Sequence, residues 1–594
     1  MKTNDFSRFY IVGGALSMAG LFILVWMIHI QTSDSAQKIL KLASQYSYTR
    51  KIIQPQRGNI YDRWGHLLAG STEVYEVGVD LRDLSDPQSI ALTVSSTLAL
   101  EYDQVYNTLK GAWEPDASGY LVLANAISLQ QVDELTILRD RLDQQRELAP
   151  EKQRNDMPNL DGLTWSPYLQ RSYPEHTLAS NILGFYSFLD RGNGVGYFGV
   201  EEKYNHLLAG TPVEILVPQD PYDIVEQPAV PAGISLVLTI DREIQAMVEE
   251  VLDNAVQANG AESGTIIVSD PRNGEILAIA STPRIDPNQY WEYGDLFPDP
   301  TPFNRAVGQT YEPGSVFKVL TLAAGLDSGA ITSTTSFLDT GTIVVGGIPI
   351  HNWDRGAWGP QDMTGCMQHS LNVCLAWIAT EMGPTRFYTY MQRFGIGHLT
   401  GIDLAGEANW PLIVQGDPIW YPVNLGTNSF GQGLAVTPMQ MVMAVGALAN
   451  DGKMMAPHVL KAVIDNGEQF SNPPQVIGSP ISAETARTSS EMLAVSLETE
   501  ASDALVPGYR VSGKTGTAEI AGPGGYTSDV TNASFVGWGP TDSPRFLVYV
   551  WIEKPTSSIW GSVVAAPIFS EIVSKLVILL DLPPDAVRQQ IINQ

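Results

Sequence analysis

The stretch Tyr311-Glu-Pro-Gly-Ser-Val-Phe-Lys318, followed by the apolar run Val319-Leu-Thr-Leu-Ala-Ala324, decides how this chain folds and acts. Proline and glycine disfavour the interior of a helix but suit its beginning, so the pattern predicts a helix that begins at about Ser315 and continues through the apolar run. Residues three apart share a helix face, so we expect the Lys318 amine to reach the Ser315 hydroxyl. A serine hydroxyl becomes nucleophilic when a base takes its proton, and a buried neutral lysine is such a base.

Two further motifs give this serine and lysine a context. An isolated Ser-x-x-Lys match is weak, and the chain holds a second one, Ser35-Ala-Gln-Lys38, in a polar stretch. Ser370-Leu-Asn372 and Lys514-Thr-Gly-Thr517 complete the order Ser-x-x-Lys, Ser-x-Asn, Lys-Thr-Gly, which is a signature of serine acyl-transfer enzymes. The candidate site residues are therefore Ser315, Lys318, Ser370, Asn372, Lys514, Thr515, Gly516 and Thr517.

A motif nearer the N-terminus extends the pattern. Arg57-Gly-Asn-Ile-Tyr-Asp-Arg-Trp-Gly-His-Leu-Leu-Ala69 has glycines at predicted turns on both sides of a short strand-like segment. Together with the three site motifs, it resembles the class B penicillin-binding proteins, which are bitopic peptidoglycan D,D-transpeptidases. Three shorter stretches resemble further boxes of the family's non-catalytic pedestal: Arg171-Ser-Tyr-Pro174, Gly199-Val-Glu-Glu-Lys-Tyr204 and Leu207-Leu-Ala-Gly210.

The resemblance implies catalytic roles for four side chains. Ser315 is expected to attack the carbonyl between the two terminal D-alanines of a peptidoglycan stem peptide, with Lys318 as the general base. Ser370 is expected to relay a proton to the leaving amine. Asn372 is expected to bind the substrate amide and to help orient Lys318. An amine of a neighbouring strand then takes the acyl group.

The Lys-Thr-Gly-Thr motif is expected to bind the substrate. Lys514 adds positive potential that favours a neutral Lys318. Thr515 and Thr517, on either side of Gly516, are expected to hold the terminal carboxylate. By resemblance, the backbone amides of the nucleophile and of the last threonine form an oxyanion hole, in which one donor contributes roughly 10² to 10³ in rate.

Strand-like and helix-like patterns around the motifs indicate the fold class. Strands at both ends of the region with helices between them predict an α+β sheet domain. The resemblance implies the penicillin-recognising serine transpeptidase fold, which is β-lactamase-like, with the Lys-Thr-Gly motif on the edge strand of an antiparallel sheet facing the nucleophile helix. The predicted elements are a strand and helix over 235–245, strands at 264–270, 275–280, 533–538 and 546–552, and a helix over about 567–580.

The N-terminal region predicts a membrane anchor. Tyr10 to Ile30 carries no Lys, Arg, Asp or Glu, and about 20 apolar residues span a bilayer. Lys2 and Arg8 precede the run and Asp34 follows it, which predicts a cell-membrane, single-pass protein with most of the chain extracytoplasmic. The predicted organisation is a cytoplasmic tail 1–9, a transmembrane helix 10–30, an elongated α+β pedestal domain 31–217, a Pro-rich linker 218–233, a transpeptidase domain 234–582 and a C-terminal tail 583–594.

Composition and decoy motifs exclude several classes of function. The 594 residues hold 64 acidic and 35 basic side chains, a formal net charge of -29, which disfavours a nucleic-acid partner. Gly508-Tyr-Arg-Val-Ser-Gly-Lys-Thr515 matches a phosphate loop, but a poor strand precedes it and a Gly/Pro-rich stretch follows, so we expect no nucleotide. No metal or other cofactor is expected.

The two cysteines, Cys366 and Cys374, flank Ser370. On one continuous helix they would lie about 12 Å apart by rise alone, which is beyond the reach of a disulfide. A bridge requires the chain to turn at Ser370. We interpret both as small buried packing residues.

Other functions stay open at this stage. Water as the acceptor would make the protein a D,D-carboxypeptidase, and fast hydrolysis of a β-lactam adduct would make it a β-lactamase. The expected partners are stem peptides, β-lactams, the membrane and a polytopic glycan polymerase, which the chain could also serve as a scaffold or activator. The short tail disfavours a penicillin-sensing receptor.

Overall fold

The computed structural model describes residues 4–36, 38, 48–113, 119–190, 193–218, 228–522 and 525–592. The chain divides into two compact units, Met1–Gln56 with Gly210–Ala232, and Arg57–Ala209 with Gly233–Gln594. Residues 1–3 of the predicted cytoplasmic tail, 219–227 of the predicted linker and 593–594 of the predicted C-terminal tail lie outside the described residues. The boundaries of the predicted domains stay a prediction.

Helices and strands occur mostly in runs of one type along the chain. The α-helices are α1 (Asn4–Thr32), α2 (Pro87–Leu98), α3 (Tyr102–Ala112), α4 (Leu129–Leu148), α5 (Ser180–Leu183), α6 (Gly199–Lys203), α7 (Asn205–Ala209), α8 (Arg242–Asn259), α9 (Tyr293–Leu296), α10 (Arg305–Gly308), α11 (Lys318–Asp327), α12 (Met363–Gln368), α13 (Asn372–Met382), α14 (Pro384–Arg393), α15 (Val423–Asn428), α16 (Pro438–Gly446), α17 (Ala483–Glu500), α18 (Gly561–Leu579) and α19 (Asp585–Ile592). The strands are β1 (Tyr48–Ile53), β2 (Ile60–Tyr61), β3 (Leu67–Asp80), β4 (Tyr120–Ile127), β5 (Leu163–Ser172), β6 (Phe185–Asp190), β7 (Asn193–Tyr197), β8 (Val213–Pro218), β9 (Ser235–Leu238), β10 (Ser263–Ser269), β11 (Ile276–Ser281), β12 (Ser336–Asp339), β13 (Thr342–Val345), β14 (Ile348–His351), β15 (Gly359–Asp362), β16 (Met454–Met455), β17 (Leu460–Asp465), β18 (Glu468–Ser471), β19 (Val476–Gly478), β20 (Ser512–Gly522), β21 (Gly525–Gly539) and β22 (Phe546–Glu553).

The smaller unit holds the apolar N-terminal helix and a two-stranded ladder. Within α1, Phe9–Thr32 is long and apolar enough to cross a membrane, and its side chains are exposed. Strand β1 pairs antiparallel with β8, from Tyr48 opposite Pro218 to Ile53 opposite Val213. A second helix of similar length and composition, α18, belongs to the larger unit, where half of it is buried in the protein core.

A five-stranded antiparallel sheet organises the larger unit, in the order β11-β10-β22-β21-β20. Every residue of β22 is buried because the sheet is covered on both faces. Val548 and Val550 pack in one apolar cluster with α8 and α18, while Tyr549 and Trp551 pack in another with α11. This is the predicted α+β arrangement, with the Lys-Thr-Gly motif on the edge strand β20.

A second sheet joins distant parts of the sequence. Its seven strands run β18-β17-β9-β2-β3-β4, with β5 also paired to β3. Strand β2 lies parallel to β9, and β9 lies antiparallel to β17. Helices α2, α3 and α4 cover β3 around an apolar cluster that includes Val77, Val79 and Leu135.

The pedestal boxes meet in a buried ion-pair network. Glu201 is fully buried and accepts hydrogen bonds from Arg57 Nε at 2.8 Å and from Arg171 Nε at 2.7 Å. The Tyr173 hydroxyl also donates to Glu201. A buried carboxylate is stable only when it is paired and hydrogen-bonded, so these boxes have a structural role.

Two expectations from the sequence need correction. Cys366 and Cys374 form a disulfide, with their Cα atoms 6.1 Å apart, so they are more than packing residues. The reason is that the helix breaks between them: α12 ends at Gln368, Ser370 adopts a positive φ of 53°, and α13 begins at Asn372. Helix α18, predicted over about 567–580, begins at Gly561, before the predicted start, and holds Pro567 in its interior.

Candidate active site

The predicted nucleophile lies in a tight turn rather than in the first turn of an α-helix. Gly314–Phe317 form a 3₁₀ helix that leads directly into α11. Gly314 has a φ of 61°, and a Cβ atom there would lie 2.9 Å from the Cβ of Ala518 on β20. The glycine therefore lets the turn bearing Ser315 lie directly against the edge strand.

A second segment holds the same turn from the other side. The Gly314 N–H donates to the Gly431 carbonyl at 3.0 Å, and Tyr311 and Val436 exchange two backbone hydrogen bonds. A Cβ at Gly431 would lie 2.3 Å from the Gly314 oxygen, so this contact also requires glycine. The Tyr311 ring stacks on Trp551, with 4.4 Å between their centroids. These contacts fix the position of the serine before any substrate arrives.

Lys318 is fully buried, with 0% of its surface exposed. Its Nζ donates hydrogen bonds to the Ser370 carbonyl oxygen at 2.6 Å, to Ser370 Oγ at 3.2 Å and to Asn372 Oδ1 at 2.7 Å. Burial, together with the positive charge of Lys514, holds the pKa of the Lys318 amine well below its ordinary value. The amine is therefore suited to act as a base.

Ser370 connects this base to the predicted nucleophile. Its Oγ lies 3.2 Å from Ser315 Oγ and 3.2 Å from Lys318 Nζ. Among the described residues, no hydrogen bond runs directly from Lys318 Nζ to Ser315 Oγ. Lys318 Nζ donates to Ser370 Oγ, and Ser370 Oγ donates to Ser315 Oγ, so the three groups form one chain of hydrogen bonds along which a proton can pass.

The segment carrying Ser370 and Asn372 is held by its surroundings. Leu371 is fully buried, and its N–H donates to the Cys366 carbonyl at 3.0 Å. Asn372 Nδ2 donates to the His351 carbonyl at 3.2 Å. The Asn372 amide thus has its oxygen directed to Lys318 and its nitrogen to β14.

The edge strand presents the predicted substrate-binding residues. Lys514 is 4% exposed, and its Nζ donates to the carbonyl oxygen and to Oγ1 of Thr515 at 3.3 and 3.2 Å. Thr517 Oγ1 accepts a hydrogen bond from the Gly561 N–H at 3.0 Å. Because a hydroxyl can accept and donate at once, both threonines keep a proton to donate to a ligand.

Gly516 is required for the contact between the strand and the serine turn. A Cβ at this position would lie 2.2 Å from Ser534 Oγ and 2.9 Å from Val316 Cγ1. The structure therefore brings the three predicted motifs together around Ser315. Lys514 and Thr515 lie in a strand, whereas a phosphate loop needs a helix beginning at these residues.

An aromatic cluster beside the site was not predicted from the sequence. The Trp353 and Trp560 rings meet edge to face with 5.2 Å between centroids, and the Trp358 ring stacks on His369 at 3.9 Å. Trp353 Nε1 also donates to the His369 carbonyl at 3.1 Å. The two tryptophans in Asn352-Trp-Asp-Arg-Gly-Ala-Trp358 were the sequence feature that could have indicated this cluster.

Comparison with known proteins identifies the family. Residues 264–574 match the penicillin binding protein transpeptidase domain, and residues 52–222 match the penicillin-binding protein dimerisation domain. This chain belongs to the penicillin-binding protein transpeptidases. Stage V sporulation protein D of Bacillus subtilis is 31% identical over 557 residues, which cover 90% of this chain and 80% of the relative.

Two further relatives cover nearly the whole chain. Peptidoglycan D,D-transpeptidase FtsI of Escherichia coli K12 is 27% identical over 605 residues, covering 99% of this chain and 95% of the relative. The crystal structure of penicillin binding protein 3 of Mycobacterium tuberculosis with aztreonam superposes with a TM-score of 0.66 and 25% identity, covering 90% of this chain and 98% of that one. The family and the fold implied by the sequence motifs are confirmed, and the protein is a penicillin-binding serine acyltransferase with a transpeptidase domain.

Proposed function

We propose that this penicillin-binding protein is a peptidoglycan D,D-transpeptidase that cross-links stem peptides through an acyl-enzyme on Ser315. The observation that carries the proposal is the hydrogen-bond chain from Ser315 Oγ through Ser370 Oγ to the buried Lys318 Nζ. The name of FtsI supports the substrate class, and the aztreonam complex of penicillin binding protein 3 supports β-lactam binding.

Acylation begins when Ser315 Oγ attacks the carbonyl carbon between the two terminal D-alanines. The Ser315 proton passes to Ser370 while the Ser370 proton passes to the neutral Lys318 amine. As the peptide C–N bond breaks, the proton returns along the same path to the leaving D-alanine amine. The products are a Ser315 ester and free D-alanine.

Lys514 and the two threonines of its motif bind the donor peptide. Thr515 Oγ1 accepts a hydrogen bond from Lys514 Nζ, and Thr517 Oγ1 accepts one from the Gly561 N–H. Each hydroxyl therefore keeps its own proton, which it donates to the terminal carboxylate. The charge of Lys514 adds long-range attraction for the carboxylate. The backbone amides of Ser315 and Thr517 stabilise the oxyanion of the tetrahedral intermediate.

Deacylation by an amine of a neighbouring stem peptide completes the cross-link. The incoming amine attacks the ester carbonyl and gives a proton to Lys318 through Ser370. As the new amide forms and the Ser315 ester bond breaks, that proton returns through Ser370 to Ser315 Oγ, which restores the free serine and the neutral lysine. Attack by water would instead release a shortened peptide, which is the carboxypeptidase alternative. The dimerisation-domain match and the apolar α1 helix favour a wall-building enzyme held at a membrane.

The proposed location is the cell membrane, with α1 as a single span and the bulk of the chain extracytoplasmic.

We further propose that α1 contacts a polytopic glycan polymerase. Gly13 has nothing within 4 Å of its Cβ position, and the small residues Gly13, Ser17, Ala15 and Ala19 recur at helical spacing. Replacing Gly13 and Ala15 with isoleucine should reduce co-purification of that partner, and undiminished co-purification would remove this part of the proposal.

A fluorescent penicillin tests the central proposal. The detergent-solubilised full chain should form one covalent adduct by intact mass, and Ser315→Ala should form none. Ser35→Ala, in the second Ser-x-x-Lys match, is the matched control and should label like the wild type. Purified lipid-linked donor and acceptor strands then distinguish cross-linking from release of D-alanine by water. A folded wild type that forms no covalent adduct with penicillin would contradict the proposal.

A further inference from the structure

The disulfide encloses the residues that surround the Lys318 amine. Cys366 lies in α12 and Cys374 lies in the first turn of α13, and their side chains are buried, at 1% and 0% exposed. Every hydrogen-bond acceptor of Lys318 Nζ in the described part of the chain belongs to Ser370 or Asn372, between the two cysteines.

The enclosed backbone adopts a conformation that most residues avoid. Ser370 has a φ of 53°, in the left-handed region that favours glycine. Local hydrogen bonds support this turn: the Ser370 N–H donates to the Met367 carbonyl at 3.2 Å, and the Leu371 N–H donates to the Cys366 carbonyl at 3.0 Å. The turn directs the Ser370 carbonyl oxygen to Lys318 Nζ at 2.6 Å, so its shape determines the surroundings of the base.

We propose that the Cys366–Cys374 disulfide is a positioning element of the active site, which holds the Ser370 turn so that its acceptors face Lys318. The bond ties the end of α12 to the start of α13 and thereby limits how far the turn between them can open. The inference rests on the proposed acyl-enzyme function, because it assigns the bond a role in activating Ser315.

The consequence of losing the bond follows from the chemistry of the base. With the turn released, Ser370 Oγ leaves the line between Ser315 and Lys318, and water reaches the Lys318 amine. With less burial, the pKa of the Lys318 amine rises toward its ordinary value. A larger fraction of the molecules then carries a protonated Lys318 at neutral pH. Lys514 is the charged group that acts on this amine from β20, and the histidines adjoining the turn are His351 and His369.

The experiment compares three forms of the detergent-solubilised full chain. They are the oxidised wild type, the wild type reduced with a phosphine and alkylated, and Cys366→Ala/Cys374→Ala. The chain has two cysteines, so the reductant has one disulfide to act on, and the double variant should not respond to it. Acylation by a fluorescent penicillin is measured against concentration and pH, and thermal unfolding is followed in parallel. His369→Gln, with the disulfide intact, separates any histidine contribution to the pH profile.

We expect both forms without the bond to bind penicillin non-covalently as the wild type does, but to acylate at least tenfold more slowly at pH 7. Their rate should recover toward higher pH as Lys318 loses its proton. If the bond resists the reductant, the acylation rate and pH profile of the double variant test the proposal. If the double variant does not fold, those of the reduced wild type test it. Wild-type rates and an unshifted pH profile, even with a lower unfolding temperature, would overturn the proposal. A folded oxidised wild type that takes no penicillin would remove the proposed function itself.

Discussion

The Nζ of Lys318 lies 2.7 Å from the Oδ1 of Asn372, so a neutral amide oxygen, rather than a carboxylate, faces the buried amine. Asn372→Asp places a negative charge of nearly the same shape at that distance. An adjacent anion stabilises the ammonium form and raises the pKa of Lys318, so fewer molecules carry a free base at neutral pH. We expect penicillin acylation at pH 7 to fall about 10²-fold and to rise with pH more steeply than in the wild type. A pH profile parallel to that of the wild type would contradict this role.

The relay through Ser370 predicts that two different replacements act alike on the reaction. Ser370→Ala and Ser370→Gly both remove the hydroxyl that lies 3.2 Å from Ser315 Oγ. Each should lower the acylation rate by roughly 10² to 10⁴, the usual contribution of positioned proton transfer. Their stabilities should differ, because glycine accepts the positive φ of this position more readily than alanine. Stopped-flow acylation and thermal unfolding measure the two effects, and a wild-type rate in the glycine variant would exclude the relay.

The three motifs were predictable because each has its own local signature. Pro313 and Gly314 mark the start of a helix, and the Ser-x-Asn and Lys-Thr-Gly motifs follow in the order of the acyl-transfer signature. Their meeting was implied by family resemblance, and the edge position of β20 agrees with it. The hydrogen-bond path that joins Lys318, Ser370 and Ser315 could not be predicted from local sequence. It depends on how the Ser370 turn approaches Lys318 from a distant part of the chain.

The disulfide was missed for a related reason. Its formation depends on a left-handed residue at Ser370, and no glycine or asparagine marks that position in the sequence. A continuous helix was the simpler interpretation, and on it the cysteines could not meet. The contact between Trp353 and Trp560 was equally hidden, because these residues come together only in the folded chain.

The buried lysine predicts a specific dependence of stability on pH. Its pKa is lowered in the folded protein, so between that lowered value and the ordinary value of about 10.4 the unfolded chain binds more protons. Stability contributed by this group therefore rises with pH in that window, by up to about 1.4 kcal/mol for each pH unit. Lys318→Met removes the titration but leaves Ser370 and Asn372 without their donor. Its unfolding temperature relative to the wild type should therefore fall as the pH rises from 7 to 10. A difference that is constant over this range would contradict a neutral Lys318.

The close packing of β20 against the serine turn predicts a large effect from one methyl group. In Gly516→Ala the new Cβ would lie 2.9 Å from Val316 Cγ1 and 2.2 Å from Ser534 Oγ, so the strand or the turn must move. A displacement of about 1 Å can cost on the order of 10²-fold in rate when reacting groups are held in place, and we expect a loss of that size in acylation. Gly446→Ala is the matched control, since nothing lies within 4 Å of its Cβ position, and it should acylate normally. Equal acylation rates in the two variants would show that the contact between Gly516 and the turn does not position Ser315.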